Sequence, residues 1–424
     1  MGSLKLHSTL LQVMSDIREL VNKMVEDSRD QKDTKDLLDI VHKKLREMVA
    51  IPVNDYRWLH FNLGFFEGEG KHVVIINDNS NHLLTPEIIK SATNSSGSEE
   101  ALFVVAQGLA DLGYRVTCVC KTIDRTCYTL PSINPRFHNI DQIEAIDSES
   151  VDVCLAWRCS RFERYKKFMG AAPIIHISHD WAKYFNPTGA DGAAFMSKTQ
   201  MEDYLQHTPE LTDLELRVVG NGVSLEDFDP CTPKDKYKCV FVASYNRGLR
   251  GVLEAWKDIH SRYPQATLDI YYGRESWGCA SQEEMTQLVN LIDQHKDFGV
   301  TEMGRVSHQE LHKALDKASM MVNTSKFMET YSIATAKAVA AGVIPVITDT
   351  VEKRMVPESI ELMDRTTVTP QVFTKRMFEV LDLISRGEDD VLREQCRQHA
   401  KDNLTWQSAI SRYADLIEKV LSKN

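Results

Sequence analysis

Glu329 stands just ahead of an Ala-rich stretch, TYSIATAKAVAAG, that carries Lys337 two turns further on. A negative side chain at a helix start either stabilises the helix dipole or, with an anion nearby, needs hydroxyl partners such as those of a sugar. Thr330, Tyr331 and Ser332 would then present helix N-terminal amides to a phosphate. Three other loops after strand-like runs carry similar chemistry. In SYNRGLRGVLEAW, Arg247 and Gly248 sit where a strand meets a helix, so a guanidinium and backbone amides could meet a diphosphate together. Outside these three loops, Arg305 in MGRVSH offers a second cation or a lining for a base pocket. HISHDW places His179 and Asp180 at a strand end, where a polar pair can hydrogen-bond substrate hydroxyls, whereas His176 reads as a core residue. In NSSGSEEA, Gly97 and Ser98 precede a helix; they either admit a sugar or phosphate or serve as a plain N-cap.

The elements that must position these loops alternate between strand and helix. HVVIIND, RVTCVCK, VDVCLAW, APIIHISH and DGAAFMS read as buried strands, with a helix over SEEALFVVAQGLADLGY after the first. Near-continuous apolar strands separated by helices predict a parallel sheet covered on both faces. A second series follows the linker-like SLEDFDPCTPKDKYK: CVFVAS, helix 248–262, ATLDIYYG, helix 281–296, SMMVNTS, helix 331–341 and VIPVIT. The expected fold class is α/β, two Rossmann-like doubly wound domains facing a cleft, at residues 56–230 and 231–404. Helices are also expected at 370–386 and 405–422, with 405–424 crossing back to the first domain. Ligands bind such sheets at the carboxyl ends of their strands.

Residues 1–55 carry two apolar helical stripes, Leu10, Met14, Ile17, Val21 and Met24, then Leu38, Val41, Leu45 and Met48. They predict a helical hairpin extension, either packed on the body or acting as a homodimerisation arm.

Bulk properties exclude several classes. The 424 residues, 42% hydrophobic and 26% charged, have the composition of a globular protein. A net charge of −11 argues against general affinity for nucleic acid or anionic membrane. No apolar run has the length of a transmembrane span, and the nine scattered cysteines read as reduced thiols of a cytoplasmic protein. No Asp-x-Asp pair in a strand-end loop or Cys-x-x-Cys motif suggests a metal.

Together the four loops resemble the retaining glycosyltransferases of family four, which have the GT-B fold. SGSEEALFVVAQGLADLGYRVT is similar to their Gly-rich loop and first helix, and VVGNGVSLEDFDP to the segment entering their second domain. SYNRGLRGVLEAW, YYG and MGRVSHQEL are similar to motifs of the second domain, and 329–346 to its E-x7-E helix. The resemblance covers roughly residues 72 to 350 in order. It implies transfer of a sugar, with retention, from a nucleotide-sugar donor such as a UDP- or GDP-sugar to a glycan, lipid or protein acceptor. It implies no other cofactor and no metal. Arg247 falls at the family's phosphate-binding basic residue; that residue's usual partner falls near Ser244, so half of the clamp is missing or supplied by Arg305. Glu329 matches the first Glu, which contacts the donor sugar, and Lys337 replaces the second, which accepts from the ribose hydroxyls. An ammonium cannot accept, so Lys337 either donates to the nucleotide or pairs with a carboxylate such as Glu254 or Glu329. The expected catalytic residues are Glu329, His179 and Arg247. Gly97, Ser98, Ser244, Gly248, Arg305, Thr330, Tyr331, Ser332 and Lys337 would bind the donor. The alternative is a catalytically impaired GT-B pseudo-enzyme acting as a binding protein.

Overall fold

Two fully parallel sheets carry the architecture. The structure, a computed structural model, describes residues 70–79, 97–121, 134–146, 148–159, 162–181, 189–272 and 281–423. The expected hairpin over residues 1–55, and with it the dimerisation arm, lies outside the described residues.

Strands β1 (His72–Ile76), β2 (Arg115–Cys120), β3 (Arg136–Asn139), β4 (Val153–Trp157), β5 (Ile174–Ser178), β6 (Gly192–Phe195) and β7 (Glu215–Val218) form the first sheet, in the order β3-β2-β1-β4-β5-β6-β7. In register, Val74 of β1 is flanked by Thr117 and Cys154. Every residue of β1, β4 and β5 is buried, which is why these strands are mostly apolar rather than alternating, with His72, His176 and Ser178 as their buried polar members. The second sheet orders β8 (Lys238–Val242), β9 (Thr267–Tyr271), β10 (Val300–Gly304), β11 (Met320–Asn323) and β12 (Ile344–Ile347) as β10-β9-β8-β11-β12.

The principal helices are α1 (Gly97–Asp111), α2 (Lys198–His207), α3 (Leu249–Arg262), α4 (Gln282–Asp293), α5 (His308–Lys317), α6 (Ile333–Ala340), α7 (Pro370–Arg386), α8 (Asp390–Asn403) and α9 (Trp406–Leu421). The stripes of α1 and α3 are turned to the sheets, while α7 packs on α3 and α8 on α6. Val252, Leu253, Trp256 and Ile259 of α3 join the core of the second sheet, and Leu102, Val105 and Leu109 of α1 that of the first. After α8 the chain returns to the first sheet: α9 packs on α1, β6 and β7, and Tyr413 stacks on Trp157 with ring centroids 5.9 Å apart.

Among the described residues, no helix is long and apolar enough to cross a membrane.

Candidate functional site

The carboxyl strand ends of both sheets open onto one cleft of about 890 Å³. Its first-domain wall carries Gly97, Ser98, Glu100, Arg158, His179 and Asp180, and its second-domain wall Ser244, Arg247, Arg305, His308, Glu329 and Lys337. Direct bonds span it. Thr330 Oγ1 donates to the carbonyl of His179 (2.8 Å) and Trp181 Nε1 to that of Met328 (2.9 Å).

Arg247 and Glu329 meet. Nη1 of the guanidinium lies 2.8 Å from Oε1 of the carboxylate, and the guanidinium carbon lies 3.4 Å from the centroid of the Phe327 ring. Glu329 leaves about a third of its side chain exposed, 32%. Desolvation raises its pKa, and Arg247 offsets part of that rise. A guanidinium has five N–H donors, so one bond to Glu329 leaves others for a phosphate oxygen.

Gly248 has a structural task beside the one expected of it. It adopts φ +93 as the N-cap of α3, and a Cβ there would lie 2.3 Å from the backbone nitrogen of Ser325. The backbone that approaches Gly248 is therefore the chain's own, after β11. Ser244 lines the cleft and donates to Asn246 Oδ1 (2.7 Å). Arg305 lies over the Tyr272 ring, 5.3 Å from its centroid. Tyr272 itself holds φ +99, a conformation rare for a residue with a side chain.

Helix α6 begins at Ile333, later than the sequence suggests, because Ser332 caps it by accepting from the backbone N–H of Thr335. Thr330 spends its hydroxyl on the other domain, and the buried Tyr331 hydroxyl finds no partner among the described residues. Ile333 and Ala334 therefore open the helix, and residues 330–332 form the approach that leads into it.

On the first-domain side, the His179 ring lies 4.7 Å from that of Trp157, and its Nε2 has no partner among the described residues. Burial, helped by Arg158, pushes its pKa down to about 3, so the ring is neutral at any ordinary pH. Arg158 was not legible as a site residue. It sits at φ +48 at the end of β4, forks onto Asp180 (2.9 and 3.4 Å) and donates to Ser98 Oγ (3.0 Å). A lone Arg after a strand carries no spacing signal; the backbone strain shows it only once the fold is known. The place of a side chain at Gly97 is taken by Ile333, whose Cδ1 would lie 2.9 Å from a Cβ there.

Lys337 pairs with neither Glu254 nor Glu329. Its ammonium donates to both oxygens of Glu100 (2.9 and 3.1 Å) and to His308 Nδ1 (3.0 Å). The reason is the packing of two helix starts. α1 and α6 meet at Gly97 and Ile333, so one turn further along each helix Glu100 faces Lys337. Burial would raise the Glu100 pKa, but Lys337 and His308 outweigh it and the net shift is downward. Burial also lowers His308, which leaves Nδ1 able to accept from the ammonium. His308 is held by a capping box in which Ser307 Oγ accepts from Glu310 N (3.2 Å) and Glu310 Oε2 from Ser307 N (2.9 Å). Part of the VSHQEL motif is thus a helix start rather than a ligand contact. No group of three His, Cys, Asp or Glu among the described residues is placed to hold a metal ion.

Residues 236–407 match the family model of glycosyl transferases group 1. Sucrose-phosphate synthase (tll1590) from Thermosynechococcus elongatus superposes with a TM-score of 0.63 at 14% identity, over 84% of this chain and 100% of that one. The fold is GT-B. A glycosyltransferase from Rickettsia africae ESF-5 gives 0.63 at 11% identity, over 84% and 100%. Anabaena Alr3699/HepE in complex with UDP-glucose gives 0.58 at 11% identity, over 83% and 100%. No curated protein matches the chain. The GT-B architecture supplies what the two sheets show: two nucleotide-fold domains whose strand ends share one cleft.

Proposed function

We propose that this chain is a retaining glycosyltransferase that moves a hexose or pentose from a nucleoside-diphosphate sugar to an acceptor hydroxyl. The carrying observation is the Arg247–Glu329 pair, set at the approach to α6 and across the cleft from His179. The match of the second domain to group 1 glycosyl transferases supports the class of reaction, and a GT-B neighbour solved with UDP-glucose supports the class of donor.

In this reading the pyrophosphate meets the Arg247 guanidinium and the amides that open α6, which stabilise charge on the leaving oxygen. Glu329 and the unpartnered His179 Nε2 orient sugar hydroxyls. The bond from the sugar's anomeric carbon to the diphosphate oxygen breaks. The acceptor oxygen bonds that carbon on the same face, and its proton passes to the departing diphosphate. No residue of the chain needs to be consumed and no metal is required by this scheme. The seven free cysteines of the described residues, six of them buried, support a cytoplasmic setting. The acceptor is a glycan, a lipid or a protein.

Purified protein given a panel of nucleotide sugars with and without glycan acceptors should release nucleoside diphosphate. Silence across every donor, hydrolysis included, rejects the enzyme and leaves the second reading, a GT-B binding protein. The observation favouring that reading is the Lys337–Glu100 pair, which already bridges the two walls of the cleft.

A further inference from the structure

Among the described residues three carboxylates line the cleft, each held by a cation: Glu329 by Arg247, Asp180 by Arg158 and Glu100 by Lys337. Their positions differ along α6. Five residues separate the capping Ser332 from Lys337, a rise of about 7.5 Å. A nucleoside diphosphate anchored at Arg247 and the first turn of α6 would bring its ribose to about that level, where Lys337 and His308 line the cleft. A ribose presents a vicinal diol, whose two O–H groups are best met by a carboxylate. Lys337 has only donors to offer. The carboxylate at this level of the cleft is Glu100, on the opposite domain. It is mostly buried, with its side chain 16% exposed, and it is oriented by bonds from Lys337 to both of its oxygens.

We propose that Glu100 accepts the ribose hydroxyls of the donor, with Lys337 and His308 as positioning residues that aim it. The proposal rests on the donor reading above. The ribose site then draws on both domains, across walls that the Glu100–Lys337 pair already bridges. A nucleotide held by the second domain alone keeps its phosphate contacts and lacks the diol contact.

Calorimetric titration of the full chain with UDP and GDP, each against its 2′,3′-dideoxy counterpart, tests this. The wild type should bind the ribose form of its preferred nucleotide about tenfold more tightly or better, as expected of hydrogen bonds to a charged acceptor. Glu100→Gln should shrink that ratio and Glu100→Ala should bring it close to one, while both keep the wild-type affinity for the dideoxy form. Lys337→Met should shrink the ratio in part, since Glu100 remains but is no longer aimed. Three results overturn the assignment and leave the donor reading standing: a wild type indifferent to the diol, a ratio unchanged in Glu100→Ala, or a loss of both forms alike. Failure of the wild type to bind either UDP or GDP overturns the donor reading itself.

Discussion

Arg247 Nη1 lies 2.8 Å from Glu329 Oε1, and the same guanidinium lies over the Phe327 ring. Its direction is therefore fixed before any anion arrives, which is the condition for stabilising a leaving group without reorganisation. Arg247→Ala should lower kcat for diphosphate release by roughly 10²-fold or more. Arg247→Lys should recover part of this, because a point charge replaces the fork without its geometry. Equal rates for Arg247→Ala and wild type would remove the cation from the mechanism.

Lys337 is 5% exposed and bonded to Glu100 of the other domain, so it is also a stability element. Lys337→Met leaves a mostly buried carboxylate without its partner and should cost about 3 kcal/mol. The Lys337→Met/Glu100→Gln double variant should cost less than the single change, because both charges go together. Urea unfolding of the wild type, both single variants and the double variant measures the coupling. Strict additivity would show that the two charges do not interact.

The parallel strands were legible because burial on both faces demands nearly continuous apolar runs, as in VVII of β1 and VCLAW of β4. Three strands are missing from the expected series, and all are edges: RFHN of β3, ELRV of β7 and VTEMG of β10 have one neighbour each and carry polar residues. Helix α8 escaped because it buries only Arg393, Cys396 and Ala400, too thin a stripe to show as a period. Arg247 and Glu329 were legible as cleft residues, since each lies in a loop that a strand delivers there. The Glu100–Lys337 pair was not. It depends on two helix starts from separate domains touching at Gly97 and Ile333, and no local pattern encodes that contact.

Four histidines are buried in neutral form. Desolvation pushes His72, His176 and His312 down to about 4, and His179 to about 3. Unfolded, each binds its proton near 6.5. Below that pH the unfolded chain holds more protons than the folded one, so stability is full above about 6.5 and falls as the pH drops towards 4. Each histidine should cost on the order of 1 kcal/mol per pH unit in that window. Thermal unfolding between pH 7 and pH 5 should therefore show a falling Tm, and His176→Gln should flatten the slope. A Tm that is constant or rises on acidification would mean that these rings are protonated in the fold.

Gly248 joins stability to the site. At φ +93 a Cβ crowds the following carbonyl, and here it would also lie 2.5 Å from the Thr324 carbonyl carbon and 2.3 Å from Ser325 N. Both obstacles are backbone, so no rotamer change relieves them. The neighbouring strand ends must move instead, and Arg247 is the residue immediately before Gly248. Gly248→Ala should destabilise the protein by more than about 2 kcal/mol. At a temperature where the variant remains folded, its affinity for nucleoside diphosphate should fall as well, because the shift carries Arg247 away from Glu329. Gly251 offers the control: it lies on α3 near the Thr324 side chain, with Oγ1 2.5 Å from a Cβ placed there. Relief there needs only a side-chain change, a new rotamer of Thr324 that gives up its 2.6 Å bond to the Gly248 carbonyl, so Gly251→Ala should be milder in stability and should lower nucleotide affinity less than Gly248→Ala does. If Gly248→Ala retained wild-type affinity in spite of its lost stability, the position of Arg247 would be independent of the turn that carries it.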